Sequence, residues 1–151
     1  MVIVTQPHFV LSDWWVVQRV GEERASWVYP FKTIYIAGIP LAFSTDSPVE
    51  PINPWETVYA AVSRGMYDNI PLYRYSSNEI LQITDVLHIY TAGSAYALLS
   101  ENSLGTLEPG KYADFIVVDK DPLEVDPKEV KNIKILATYV NGLKVYDSNN
   151  S

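Results

Sequence analysis

Two short apolar runs, Val2 to Thr5 and Ile39 to Ser44, set the tightest limit on how this chain can fold. Each is continuous rather than alternating, as a strand buried on both faces of a parallel sheet is. Between them, Gly21-Glu22-Glu23 opens a helical stretch that is interrupted at Pro30. The fixed φ and missing N–H of Pro30 suit the first turn of a new helix running to Ala37, and Gly38 is placed to end it. A chain seldom begins inside its own core, so a buried strand at the extreme N-terminus predicts neighbours beyond those this chain supplies.

After the second run, Asn53-Pro54-Trp55-Glu56 predicts a helix start. Asn53 can cap, Pro54 sits at the first helical position and Glu56 can reach back to the cap. That helix runs to about Arg64 and closes at Gly65, and Met66 to Tyr75 reads as a loop. Two later starts compete, Ser76 with Glu79 as a capping box and Thr84 before Asp85-Val86-Leu87. Gly93 separates this element from a short helix over Ser94 to Leu99. The character then changes. Gly105 and Pro109-Gly110 mark turns, and Ala113 to Asp119 and Ile135 to Val140 are strand-like. Asn141-Gly142, between Tyr139-Val140 and Leu143 to Tyr146, is a type I′ hairpin signal. Strand, helix, strand, helix and then a β-rich tail predict an α/β unit joined to a small sheet, with no internal repeat. The divisions fall at residues 1–103, 104–147 and a polar, frayed tail at 148–151.

Composition narrows the function. Acidic residues outnumber basic ones 18 to 11 for a net charge of −7, which repels a phosphate backbone and argues against nucleic acid as a partner. The absence of cysteine excludes disulfides, thiolate metal sites and thiol nucleophiles, and a cytoplasmic home fits best. No apolar run approaches the roughly 20 residues that cross a bilayer, and the opening run lacks the basic leader of a signal peptide. No membrane partner is expected.

Asp46 lies just past the second apolar run, where α/β barrels place catalytic groups. Asp before Ser47-Pro48 is also ordinary turn chemistry, and the residues alone leave both roles open. His8, in Gln6-Pro7-His8-Phe9, holds the same place relative to the first run, which would bring an imidazole and a carboxylate to one end of a sheet; the competing role is a histidine hydrogen-bonded at a loop start. His88, beside Leu87 and Ile89 in a helical stretch, reads as structural or solvent-facing. A catalytic zinc site usually takes three protein ligands, commonly two or more of them histidines. This chain has two histidines in all and no His-x-His pair, so a self-contained metal site is not expected. Phosphate-binding loops, nucleophile elbows and EF-hands are absent. Glu22, Glu23 and Glu108 read as surface charges. Four Trp and eleven Tyr would serve sugar stacking only if several lay exposed on one face, and aromatics are equally ordinary core material.

Three segments in order resemble the amidohydrolase superfamily, in the branch that includes N-substituted formamide deformylase. They are Gln6-Pro7-His8-Phe9, the run from Tyr29-Pro30-Phe31 through Gly38-Ile39-Pro40-Leu41-Ala42-Phe43-Ser44-Thr45-Asp46-Ser47-Pro48-Val49, and Leu104-Gly105-Thr106-Leu107-Glu108-Pro109-Gly110-Lys111-Tyr112-Ala113-Asp114-Phe115. Thr138-Tyr139-Val140-Asn141-Gly142 resembles the family's closing hairpin. The resemblance implies the last two strand–helix units of a (β/α)8 barrel plus part of a composite β-sandwich. It also implies hydrolysis of non-peptide C–N bonds, in a small amide-type substrate, by a metal-activated water. By that likeness Asp46 matches the aspartate after the last barrel strand, a metal ligand or the general base, while His8 and Arg19 lie near the substrate, Arg19 in a loop at the active-site mouth.

The same likeness places the other metal ligands outside this chain. A divalent metal, zinc first, belongs to the complete enzyme, and this chain alone is expected to hold none and to be inactive. It is then a fragment, a split-gene subunit or a degenerate product. An exposed sheet edge and apolar helix face seek partners, so either a separately supplied N-terminal part or self-association is expected. The rival reading is a non-catalytic assembly or binding module that kept the fold after losing the metal-binding half.

Overall fold

A computed structural model of the chain describes residues 1–150. Strand β1 (Ile3–Thr5) pairs in parallel with β2 (Leu41–Phe43), Ile3 opposite Leu41 and Thr5 opposite Phe43. The bond from Ser44 N to Thr5 O, 3.0 Å, continues the pairing past their C-terminal ends. Both apolar runs thus form strands, shorter than the runs themselves, and β2 is buried throughout. Phe43 meets Phe31 edge to face at 5.5 Å.

Four short helices connect the two strands: α1 (Phe9–Ser12), α2 (Val16–Val20), α3 (Glu22–Ala25) and α4 (Phe31–Ile36). The predicted interruption at Pro30 is present, with Pro30 as the residue before the first helical one. Gly38 follows α4 in the left-handed region at φ 70°, a conformation that costs glycine little. Helix α5 (Pro54–Ser63) starts as the sequence predicts, with Asn53 Oδ1 accepting from Trp55 N at 3.1 Å. It closes through Arg64 and Gly65, both at positive φ. Trp55, Val58, Tyr59, Ala61 and Val62 are all buried, so α5 is covered on nearly every side and forms the axis of the core.

Of the two competing helix starts, neither holds as written. Helix α6 (Tyr73–Ser76) and a 3-10 turn at Ser77–Glu79 precede α7 (Ile83–His88), which begins one residue before Thr84 with Gln82 outside it. Glu79 does not cap: its carboxylate accepts from Thr33 N at 2.9 Å and from Thr33 Oγ1 at 2.5 Å. Gly93 does not break the helix either. A π-helical turn at Ile89–Gly93 carries α7 directly into α8 (Ser94–Ala97). A Cβ on Gly93 would sit 2.3 Å from the carbonyl oxygen of Leu41, so its missing side chain serves close packing of helix on strand.

The β-rich tail forms an antiparallel sheet in the order β3 (Phe115–Val118), β4 (Ile135–Val140), β5 (Leu143–Asp147). Asn141 and Gly142 turn β4 into β5 with φ of 51° and 74°, as a type I′ turn requires. Phe115 and Tyr139 face each other across β3 and β4 and stack at 4.5 Å. A 3-10 segment at Pro127–Asn132, not foreseen from sequence, buries Val130 and packs on α5. Lys131 there lies 4.3 Å above the Tyr59 ring and 3.3 Å from Asp68. Ser148–Asn150 form a final 3-10 turn, and Ser151, the last residue of the expected frayed tail, lies outside the described residues. Among the described residues no helix is long and apolar enough to cross a membrane.

Candidate functional site

The parallel pairing sets where the candidate side chains emerge. Thr5 and Phe43 are register partners, and His8 and Asp46 each follow by three positions, so both leave the same end of the sheet. Gln6 and Ser44, one step beyond that pair, bond side chain to side chain, Nε2 to Oγ at 3.1 Å. Ser94 Oγ also donates to Phe43 O at 3.1 Å, fastening α8 to the end of β2. Asp46 is exposed and sits at φ 59°. Few residues besides glycine adopt that conformation, although Asp and Asn do so more readily than most. Its carbonyl accepts from Val49 N at 2.9 Å, so the turn that the sequence allowed is formed around a carboxylate left facing solvent.

His8 lies at the start of α1 and is largely buried. Its Nδ1 pairs with Glu50 Oε2, and its Nε2 is 3.6 Å from Glu56 Oε2. Glu50, itself buried, also accepts from Ser12 Oγ at 2.5 Å. One carboxylate on the loop after β2 therefore grips both His8 and the last residue of α1. Sequence reasoning missed Glu50 altogether and assigned Glu56 to the cap of α5, whereas its carboxylate is turned toward His8. The only sequence signal was position: Glu50 and Glu56 follow Asp46 in the segment that leads into α5.

Arg19 lies within α2 rather than in a loop, exposed, with its guanidinium 5.8 Å from the Trp15 ring. His88 ends α7. Of the tryptophans, Trp55 is buried and Trp14, Trp15 and Trp27 are exposed.

A buried polar brace ties the end of α5 to the end of α6 and to the segment before α4. Arg64 is 1% exposed and donates to Ser76 Oγ, Tyr29 O and Val28 O at 2.9, 3.0 and 2.6 Å. Burial pulls its guanidinium down to about 10. Tyr29 in turn donates its hydroxyl to Asp13, and burial followed by that carboxylate raises the phenol well above its ordinary range.

The family model for the amidohydrolase family matches residues 2–146. The chain belongs to that family. Among amidohydrolase relatives, the Bacillus subtilis protein YtcJ is 36% identical over 143 residues, which is 94% of this chain and 27% of that protein. N-substituted formamide deformylase of Arthrobacter pascens is 28% identical over 82% of this chain and 22% of its own length. The crystal structure of an uncharacterized metal-dependent hydrolase from Pyrococcus horikoshii superposes with a TM-score of 0.78 at 49% identity, covering 85% of this chain and 26% of that one. The chain thus spans about a quarter of the length of the relatives it matches.

Family membership implies a metal, and the donor set here does not fit one by itself. Among the described residues no group of three or more His, Asp or Glu side chains is disposed to hold a metal ion, whereas a catalytic zinc usually needs three protein ligands.

Proposed function

We propose that this chain is the closing part of a metal-dependent amidohydrolase that hydrolyses non-peptide C–N bonds, and that Asp46 supplies a carboxylate to a site completed by residues outside it. The observation that carries this reading is the emergence of His8 and Asp46 at one end of a parallel β1–β2 pair. The C-terminal ends of parallel strands are where α/β barrels assemble their chemistry. On this reading residues 1–103 are the last two strand–helix units of a (β/α)8 barrel, and residues 104–147 belong to a composite β-domain. Asp46, exposed and held in a turn, takes a proton from the attacking water. The substrate class, small amides and formamides, rests on the likeness to a relative named N-substituted formamide deformylase.

The same reading accounts for the exposed apolar side chains around the sheet. Val4 of β1, Ile36 and Ile39 are open to solvent, and β1 and β2 form a sheet of only two strands. Such a sheet is marginal unless covered or extended. The remainder of the longer protein, or a second copy of this chain, covers it.

The test is a hybrid in which this chain replaces the matching segment of the Pyrococcus horikoshii hydrolase, assayed for amine release from a panel of N-formyl and N-acyl amines. Asp46→Asn is expected to lower turnover by about 10²-fold or more, the scale of a lost general base. A folded hybrid that releases no amine from any member of the panel would overturn the reading.

A further inference from the structure

The grip on His8 is unequal at its two ring nitrogens. At Nδ1 the imidazole is in direct hydrogen-bond contact with the buried carboxylate of Glu50. At Nε2 the nearest carboxylate, Glu56, stands 3.6 Å away and is partly exposed, beyond a hydrogen bond. A carboxylate cannot donate when ionised, so Glu50 fixes the proton on Nδ1. No carboxylate closes on Nε2 in the same way, so Nε2 is the nitrogen that can pass a proton to a bound molecule. Glu50 is positioned for this by two further restraints, the bond from Ser12 and its own burial. A histidine that only filled the start of α1 would not call for a buried carboxylate from a loop 42 positions away.

We infer that His8 is the proton donor to the departing nitrogen and that Glu50 is the positioning residue that aims it. The inference rests on the reading of this end of the sheet as a C–N hydrolase site. In the addition step, water forms a bond to the carbonyl carbon and its proton goes to Asp46. In the cleavage step the C–N bond breaks, its electron pair stays on nitrogen, and that nitrogen takes the Nε2 proton of His8. His8 is left neutral, its remaining proton on Nδ1 and hydrogen-bonded to Glu50, and the proton on Asp46 returns to Nε2 through solvent, so the net change is one water consumed. The arrangement parallels the carboxylate–imidazole pairs in which the carboxylate orients the ring and stabilises its cation.

Two measurements test this. The first uses the chain itself, whose two histidines make its imidazole ¹H–¹⁵N spectrum simple. His8 is expected to show a far-downfield Nδ1 proton that disappears in Glu50→Leu while the His88 signals stay in place. If His8 is an Nε2–H tautomer with no such proton, the inference is overturned. The second uses the hybrid hydrolase with two formamides, one releasing a strongly basic alkylamine and one a weakly basic nitroaniline. A departing alkylamine needs a proton and a nitroaniline needs it far less. The alkylamide-to-anilide turnover ratio is therefore expected to fall by about 10²-fold in His8→Gln, and to fall in the same direction in Glu50→Gln. Asp46→Asn slows both substrates alike. Equal loss on both substrates in His8→Gln would show a structural role and overturn the inference, leaving the hydrolase reading intact. A parent hybrid inactive on both would overturn that reading and the donor role together, whatever the tautomer.

Discussion

Arg64 and Ser76 meet inside the core, Nε to Oγ at 2.9 Å, at the point where the end of α5 touches the end of α6. The guanidinium also satisfies the carbonyls of Val28 and Tyr29 and lies 5.7 Å from the Phe31 ring. Its planar fork of donors serves three acceptors at once, which an ammonium on a flexible stem cannot match. Arg64→Met keeps the bulk and removes every donor. Leaving buried carbonyls unpaired is expected to lower stability by about 3 kcal/mol, read as a shift in the urea midpoint. Arg64→Lys should fall between the two. A Met variant within about 0.5 kcal/mol of the parent, the range of ordinary surface substitutions, would show the brace to be dispensable.

Gly93→Ala sets helix propensity against packing. In an exposed helix interior the change is favourable by up to about 1 kcal/mol. Here the added methyl would lie 2.3 Å from the Leu41 carbonyl oxygen, a backbone atom of β2 that cannot rotate away. Overpacking of this kind costs about 1–3 kcal/mol, so the net effect is expected to be destabilising. A thermal midpoint equal to or above the parent's would mean that the helix and β2 separate more easily than the contact implies.

Tyr29 and Tyr59 should titrate late. Burial first, and then a hydrogen bond to a carboxylate, raises Tyr59 above its ordinary value of 10.0 through Asp68 and raises Tyr29 through Asp13. The folded-state value of each lies above the unfolded one. Their contribution to stability is therefore fully present below pH 10 and is lost as pH rises through the folded-state values. Tyrosinate absorbance on alkaline titration is expected to end in a late group that coincides with unfolding. Tyr59→Phe should shrink the late group, and an unchanged titration would contradict the Tyr59–Asp68 bond.

Particular residues show what the sequence made legible. Asn53 and Pro54 start α5, and Asn141-Gly142 turn β4 into β5, because capping and type I′ geometry are set by the residues on the spot. Helices α1 and α2 were missed because neither His8 nor Trp15 makes a side-chain cap bond; α1 is held instead by Glu50, a residue distant in sequence, on His8 and Ser12, and α2 buries Val16. Glu79 misled for the same reason, since its partner Thr33 is 46 positions away and outcompetes the local cap. At the candidate site, Asp46 and His8 were readable from their places after apolar runs. Glu50 was not, because nothing near it in sequence reveals that His8 and Ser12 converge on its carboxylate. Arg19 was assigned to a loop, while Val16 buries one side of a helix that carries Arg19 on the surface.

The metal content of the dialysed chain should be well below one ion per molecule. Asp46 offers one exposed carboxylate, and the histidine nearest in the fold has its Nδ1 committed to Glu50. No third ligand is grouped with them among the described residues. One or two carboxylate or imidazole donors bind zinc too weakly to survive dialysis, whereas three protein ligands hold it tightly. Elemental mass spectrometry of the chain and of the hybrid separates the cases. A metal-free chain and a metal-loaded hybrid place the ligands outside this chain, in the part that the longer relatives supply. A stoichiometric ion in the chain itself, abolished by Asp46→Asn, would mean that copies of the chain assemble a site between them, and the search for a partner would turn from a missing segment to self-association.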